Sequence, residues 1–465
     1  MSEDIKHNCG ITVAHTLHDA YSFIKSLQHR GREATGISAI GIDKIDTIKW
    51  EGPVDRFDVT DLHKIFPSPD YHTYMAHVRY ATKGRKEKIL EDAHPHVLGG
   101  QEYHKGSHIL ITNSEMAIIH NGQVDGKFLG SQEECDTKDL LLFYKQKGEY
   151  EILRSIPGAY TLAIADKKRK EVIVLRDKTG IKPGVLGWKD GKHCVASEDI
   201  ALRKNGGDFI EDLEPGAVYY LDQDGRYTKE NIVDQDLAHC FFEWNYLADS
   251  DSIVNGSHCG RVKDYLGESL ANNLNLEADF VTFIPRCPEP AARSFAKKAE
   301  IPFEYVFYKT RSERSFQGST TRERKSSINN NLYLLPTIND IPVEEFLREK
   351  TVIVMEDSIV RGNNATRGRD LLLKAGVKQI HLISYTPKIG IIGEDEIPRG
   401  CMFGVDMPPE DEFVARNKNL EEISKQMGMD VRYPSLEDML TSYKKMGIDK
   451  NDLCTYCIGG KNPLE

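Results

Sequence analysis

The chain has 465 residues, with 61 Lys and Arg against 72 Asp and Glu, and a formal net charge of −11. That length accommodates two or three domains with sizeable cores, and the acidic balance argues against a nucleic acid or an anionic membrane as the main partner. No apolar run approaches the ~18 residues needed for a membrane span. The first eight residues, Met-Ser-Glu-Asp-Ile-Lys-His-Asn, lack the apolar stretch of a secretory signal, so a soluble cytoplasmic protein is expected. Nine cysteines in such a compartment read as core residues, ligands or nucleophiles rather than as a disulfide scaffold.

Cys9 opens Cys-Gly-Ile-Thr-Val, an apolar strand-like run behind eight polar or charged residues. Read as structure, it is a small buried residue. Read as chemistry, residues 1–8 are a propeptide whose removal places an α-amine beside the thiol. Such an amine has an unperturbed pKa of about 7.7–8.0 and suits the role of general base. Downstream lie Leu27-Gln-His-Arg-Gly-Arg-Glu-Ala-Thr-Gly, His77-Val-Arg-Tyr-Ala-Thr-Lys-Gly84, His120-Asn-Gly-Gln-Val and Cys135-Asp-Thr-Lys. Two strands of a hairpin are predicted around the charged turn Lys167–Lys170. Arg176-Asp-Lys-Thr-Gly-Ile-Lys-Pro, Ala196-Ser-Glu and Glu214-Pro-Gly follow.

Cys240-Phe-Phe-Glu-Trp-Asn-Tyr marks a crossover into a second half. There an amphipathic helix from Arg261, a strand at Asp279–Pro285 and repeated strand–helix alternation to about residue 410 predict a parallel sheet with helices on both faces. Its most informative stretch is 351–369. A short apolar run, Val352–Met355, reads as a buried strand. It leads into two acids, Glu356 and Asp357, then a polar loop at Arg361–Thr366, then a helix from Asp370. Backbone N–H groups at a helix N-terminus suit a phosphate, and paired acids suit hydroxyl groups or a metal ion, so a phosphorylated sugar satisfies both. No nucleoside-triphosphate P-loop pattern is present here. Cys454-Thr-Tyr-Cys457 supplies two ligands of a tetrahedral site or a redox pair, and no thioredoxin-like strand precedes it. Cys240 and Cys401 taken singly read as core.

The first-half motifs, in their order, resemble those of the class II glutamine amidotransferases. The 351–366 signature resembles that of the type I phosphoribosyltransferases. Asp357-Ser-Ile-Val-Arg-Gly and the Cys240 crossover together resemble the amidophosphoribosyltransferases over essentially the whole chain. The resemblance implies a propeptide (1–8), an αββα N-terminal-nucleophile glutaminase domain (9–235), a parallel α/β phosphoribosyltransferase domain (236–410) and a helical tail with the C-x-x-C (411–465).

It also implies site residues. Cys9 would be the nucleophile, with Asn121 and the Gly122 N–H as the oxyanion hole. Arg79 would hold the glutamine carboxylate and Asp136 its ammonium. Glu356 and Asp357 would hold ribose hydroxyls and Mg²⁺, and Ser358, Arg361, Gly362, Asn363 and Asn364 would grip the 5-phosphate. Arg314 and Arg324 would complete the phosphoribosyl-diphosphate site, and Arg286, which stands in the altered diphosphate loop outside the family pattern, adds a cation around which diphosphate recognition is either rebuilt or, failing that, lost. Cys240, Cys401, Cys454 and Cys457 fall where one branch of the family carries four cluster thiolates, implying a [4Fe–4S] cluster with zinc as the competitor. Of the remaining cysteines, Cys135, Cys194 and Cys259 read as packing, with Cys287 set apart. A homo-oligomer, dimer or tetramer, is expected.

The transferase half departs from the family pattern. The Pro-Asp-Ser-Gly diphosphate loop is here Pro285-Arg-Cys-Pro-Glu. Asp-Asp is Glu356-Asp357, and Gly-Thr-Thr is Gly362-Asn-Asn. A lysine and a proline of the flexible loop align with Asn331 and Ser319. Two other readings therefore stand beside an amidophosphoribosyltransferase: a paralogue that aminates a different phosphorylated acceptor, and a non-catalytic regulatory protein on the same fold.

Overall fold

A computed structural model describes residues 9–80, 88–129, 135–309 and 332–465. The propeptide expectation and Arg314, Ser319, Arg324 and Asn331 lie outside the described residues. Among those described, the first half is built on two antiparallel sheets of nine and six strands. In the larger, strand Gly10–Ala14 lies between Thr73–Arg79 and Lys192–Ala196. In the smaller, Met116–Val124 lies between His96–Leu98 and Gly158–Asp166. The expected hairpin forms, with Gly158–Asp166 pairing antiparallel with Glu171–Arg176.

Alternation of side chains along each strand separates two faces. Ile11, Val13 and Met75 from one sheet meet Ala117, Ile119 and Val174 from the other in the inter-sheet core. Helix Leu17–Ser26 buries Leu17, Ala20, Phe23 and Ile24 on the outer face of the larger sheet. It starts at Thr16, whose hydroxyl accepts from the Asp19 N–H at 3.0 Å. Helices Asp136–Lys147 and Glu149–Ser155 cover the outer face of the smaller sheet through Leu140, Tyr144 and Ile152. This is the four-layer αββα sandwich.

The second half holds a four-stranded parallel sheet in the order Phe280–Phe283, Thr351–Glu356, Gln379–Ser384, Asp430–Arg432. Helices Cys259–Asn273 and Glu289–Ala299 pack on one face, and Asn363–Lys374 and Leu420–Met427 on the other. Two local expectations are corrected. The fourth strand lies within the segment expected to be a helical tail; it is only three residues long, and the long connection after Ser384 conceals the alternation. The helix expected from Asp370 begins at Asn363, so Asn363–Thr366 form its first turn. Gly362 caps it at φ 69°, a left-handed conformation that glycine adopts without strain. The crossover becomes a π-helical turn, Glu243–Leu247.

Candidate functional site

Cys9, the first described residue, immediately precedes strand Gly10–Ala14 and is fully buried. Its N–H donates to Asn121 Oδ1 at 3.1 Å, and its carbonyl accepts from Arg30 Nε at 3.0 Å. Burial pushes the thiol up to about 11, so at neutral pH it is protonated and needs a base before it can attack. Asn121 Nδ2 is buried with no hydrogen-bond partner. An amide donor left open beside a nucleophile is the arrangement an oxyanion hole requires. The next residue must be glycine: a Cβ on Gly122 would lie 2.0 Å from the Ala159 carbonyl oxygen.

The other motif residues cluster nearby. Gly31 lets two segments meet, since a Cβ there would lie 2.5 Å from the Arg79 carbonyl carbon. Arg79 is fully buried; its NH2 lies 3.5 Å from Asp92 Oδ2, and its Nε has no partner. Asp136 starts a helix, and its Oδ2 accepts from the Val124 N–H at 3.0 Å. Burial pushes its carboxyl up to about 6, as expected of an anion awaiting a cation.

Four histidines surround this site, and sequence reasoning gave none of them a role. His77 stacks on His94 with centroids 4.1 Å apart, and His94 meets His96 at 4.6 Å. His120 Nδ1 lies 3.0 Å from Thr137 Oγ1. Burial lowers His77 and His120 to about 3, so both are neutral. The signal was available, because His77 and His120 open the two motifs that carry Arg79 and Asn121. Cys135 is more than packing: its Sγ lies 3.5 Å from His96 Nε2.

Arg30 ties the nucleophile to the second half. Its guanidinium bonds Glu198 at 2.6 Å and Glu243 at 3.0 Å, all three side chains being buried. Glu243 belongs to the Cys240-Phe-Phe-Glu crossover, so that motif's acid is a structural link between the halves.

In the second half, Glu356 and Asp357 lie at the carboxyl end of strand Thr351–Glu356, where ligands bind in open parallel sheets. Both are buried; burial raises both carboxyls, and the charge of Asp357 adds to the rise at Glu356. Glu356 Oε2 has no partner, and Asp357 Oδ1 accepts from Ser358 Oγ at 2.8 Å. Paired buried acids of this kind favour a cation or sugar hydroxyls.

Gly362, Asn363 and Asn364 form the start of the next helix, as a phosphate grip needs. The Arg361 side chain is turned elsewhere: its Nε donates to Asp411 Oδ2 at 3.1 Å and its NH2 to the Asp406 carbonyl at 3.0 Å. It is thus committed to an internal ion pair.

The altered loop is also more internal than its sequence suggests. The Arg286 side chain is exposed and donates weakly to the Lys309 carbonyl at 3.4 Å, while Cys287 Sγ donates to the Asn245 carbonyl at 3.2 Å. Lys263, fully buried on helix Cys259–Asn273, donates to Ser250 Oγ at 2.9 Å. Its charge pulls down the carboxyl of Asp357 and the thiol of Cys287. Sequence reasoning missed this cation; a lysine at a buried position of an amphipathic helix was the signal.

Cys240, Cys401, Cys454 and Cys457 line a single cavity, together with Lys182 and apolar side chains. Strand pairing places Cys240 beside Cys454, joining the crossover to the C-terminal tail. The Cys401 sulfur accepts backbone N–H groups from Phe403 at 3.3 Å and Val405 at 3.4 Å, as anionic sulfur ligands do. Burial pushes the Cys454 thiol up to about 12 and raises Cys240 and Cys457 strongly. Among the described residues, no three or more His, Cys, Asp or Glu side chains are drawn together as ligands of one ion. The four cysteines surround a space instead.

The two-sheet sandwich with a strand-initial buried thiol, joined to a parallel sheet with an acid pair at its carboxyl edge, defines the class. It is an N-terminal-nucleophile glutamine amidotransferase fused to a phosphoribosyltransferase fold. The glutamine amidotransferase domain family matches residues 111–235. The chain is 30% identical to the amidophosphoribosyltransferase of Methanocaldococcus jannaschii, over 96% of this chain and 94% of that protein. It is 28% identical to that of Methanothermobacter thermautotrophicus, over 99% and 95%. Its fold is similar to that of the glutamine phosphoribosylpyrophosphate amidotransferase from B. subtilis complexed with ADP and GMP. The TM-score there is 0.79 at 26% identity, covering 98% and 97% of the two chains. The chain belongs to the amidophosphoribosyltransferase family.

Proposed function

We propose that this chain catalyses glutamine-dependent amination of 5-phosphoribosyl 1-diphosphate, giving 5-phosphoribosylamine, the first step of de novo purine synthesis. The observation that carries the first half-reaction is the open Asn121 Nδ2 donor beside the buried Cys9 thiol. Removal of residues 1–8 supplies the α-amine that takes the thiol proton. The thiolate attacks the glutamine amide, and Asn121 Nδ2 with the Gly122 N–H holds the oxyanion. Arg79 binds the substrate carboxylate and Asp136 its ammonium. Ammonia leaves, and water hydrolyses the thioester to glutamate and restores the thiol.

In the second half-reaction ammonia attacks C1 of the ribose and diphosphate leaves. Glu356 and Asp357 hold the ribose hydroxyls and Mg²⁺, and the N–H groups around Gly362–Asn364 hold the 5-phosphate. Mg²⁺, when bound, neutralises the leaving diphosphate. Arg286 stands where the family's diphosphate loop lies, and its exposed guanidinium suits direct pairing with that group. Arg361 contributes through its backbone, since its side chain is engaged by Asp411. Arg314 and Arg324, carried over from the family's motif, are further candidate ligands of phosphoribosyl diphosphate.

The four cysteines hold a [4Fe–4S] cluster that joins the crossover, the transferase half and the tail. Four cysteines lining one cavity are the donor set such a cluster takes, and a single zinc ion is the competitor. The enzyme acts in the cytoplasm as a homo-oligomer; among the described residues no helix is long and apolar enough to cross a membrane.

The test uses one preparation given glutamine, phosphoribosyl diphosphate and Mg²⁺. Glutamate and diphosphate are expected in equal amounts, from protein whose mature N-terminus is Cys9. Glutamate without diphosphate would mean a different acceptor. Glutaminase-active protein that keeps Met1 or Ser2 would exclude the N-terminal amine as base.

A further inference from the structure

Lys182 lies in the connection between strands Glu171–Arg176 and Val185–Lys189, and its side chain lines the four-cysteine cavity. It is fully buried, and its Nζ has no hydrogen-bond partner. The residue is rigidly presented: its carbonyl accepts from Arg176 Nε at 2.8 Å and from Thr161 Oγ1 at 3.2 Å. A buried ammonium without a partner is among the most unfavourable arrangements a fold can contain, so a compensating anion is called for. The cavity it lines holds Cys240, Cys401, Cys454 and Cys457, while its charge also pulls down the Cys9 thiol against the larger effect of burial. Cys9 and the cysteine centre thus compete for this one ammonium, and the lining of the cavity favours the centre.

We propose that Lys182 is the fixed counter-cation of the four-cysteine centre, a positioning residue that donates to its sulfurs and sets the charge felt by the metal group. This rests on the cluster reading given above. Loading a cluster deprotonates four buried thiols and brings negative charge into an apolar pocket lined by Ile181, Phe242, Phe403, Val405 and Met407. The ammonium neutralises part of that charge, and hydrogen bonds and charge near the sulfurs tune cluster potential and stability. A neutral side chain there should favour the oxidised cluster and drive the potential more negative.

The experiment compares anaerobically purified full-length wild type with Lys182→Met, Lys182→Gln and Lys182→Arg. Iron per chain, bleaching of the visible absorbance in air, cluster midpoint potential and the pH profile of glutamine hydrolysis are measured on each. The neutral variants are expected to bleach about tenfold faster and to show a more negative potential, with Lys182→Arg close to wild type. Neutral variants that match wild type in both cluster readouts overturn the inference. So does a Lys182→Arg protein as defective as the neutral ones, because shape rather than charge would then matter. A shifted glutaminase pH profile with an unchanged cluster would reassign the ammonium to Cys9 and also overturn it. Should the neutral variants fail to fold by circular dichroism, iron retention at wild-type potential in Lys182→Arg supports the proposal, and loss of iron overturns it. An iron-free wild type would instead remove the cluster reading itself.

Discussion

The two halves of the molecule differ in how their sites are finished. In the glutaminase half every inferred group is held on or next to a strand or at a helix start, and the unmatched atoms point to the work required: an open Asn121 Nδ2, an open Arg79 Nε, an Asp136 carboxyl raised by burial. In the transferase half the acid pair and the helix N-terminus are equally well placed. The diphosphate loop, however, has exchanged small backbone donors for an exposed Arg286 and a Cys287 engaged with the Asn245 carbonyl. Preorganised donors on rigid elements give catalysis with little reorganisation. A single exposed guanidinium gives recognition that depends on charge and responds to salt. The first site stands preorganised; the second, on the proposed reading, depends on one exposed charge.

The largest effect that would sharpen this contrast comes from Cys9→Ala. Glutamine-dependent turnover should fall by about 10⁴-fold or more, while turnover with ammonium survives, because only the first half-reaction uses the thiol. Equal loss of both activities would break the division of labour. Asn121→Ala should lower kcat for glutamine hydrolysis by about 10²–10³-fold with little change in KM, the signature of a lost oxyanion donor. A change confined to KM would show that Asn121 binds substrate instead.

The pH dependence follows from Asp136. Its carboxyl is raised to about 6, so it is an anion above that pH and becomes neutral as pH falls through it. The kcat/KM for glutamine should therefore fall about tenfold per pH unit below 6, and Asp136→Asn should be poor at every pH and show no such limb. A limb that persists in the variant would assign it to another group. The smallest expected effect is that of Arg286→Ala, which should weaken binding of phosphoribosyl diphosphate by about tenfold and flatten its salt dependence, as loss of one exposed charge-assisted contact does. Binding of ribose 5-phosphate should not change.

How much of this was legible in the sequence varied with the physics. The glycines and acids of the motifs were readable because close backbone approach at Gly31 and Gly122, and charge placement at Glu356 and Asp357, permit few residue types. The αββα layering came from resemblance, since alternation alone does not tell one sheet of a sandwich from the other. Lys182 and Lys263 were missed because burial of a lysine is a property of tertiary packing, and a lysine in a chain with many charged residues draws no notice. The partner of Arg361 was missed for a similar reason: Asp411 lies 50 positions away, across a connection with no periodicity. The early helix start at Asn363 was hidden because Gly362 supplies a left-handed cap with no side-chain hydrogen bond to announce it.

The central claim is that the rebuilt transferase site still recognises phosphoribosyl diphosphate. The most direct measurement is the affinity of the holoenzyme for phosphoribosyl diphosphate and for ribose 5-phosphate, each with and without Mg²⁺. The account predicts that the diphosphate ligand binds more than about tenfold tighter than ribose 5-phosphate when Mg²⁺ is present, as one extra charge-assisted contact and a metal bridge imply. Equal affinity for the two ligands would contradict it and assign the chain to a paralogue with a different phosphorylated acceptor.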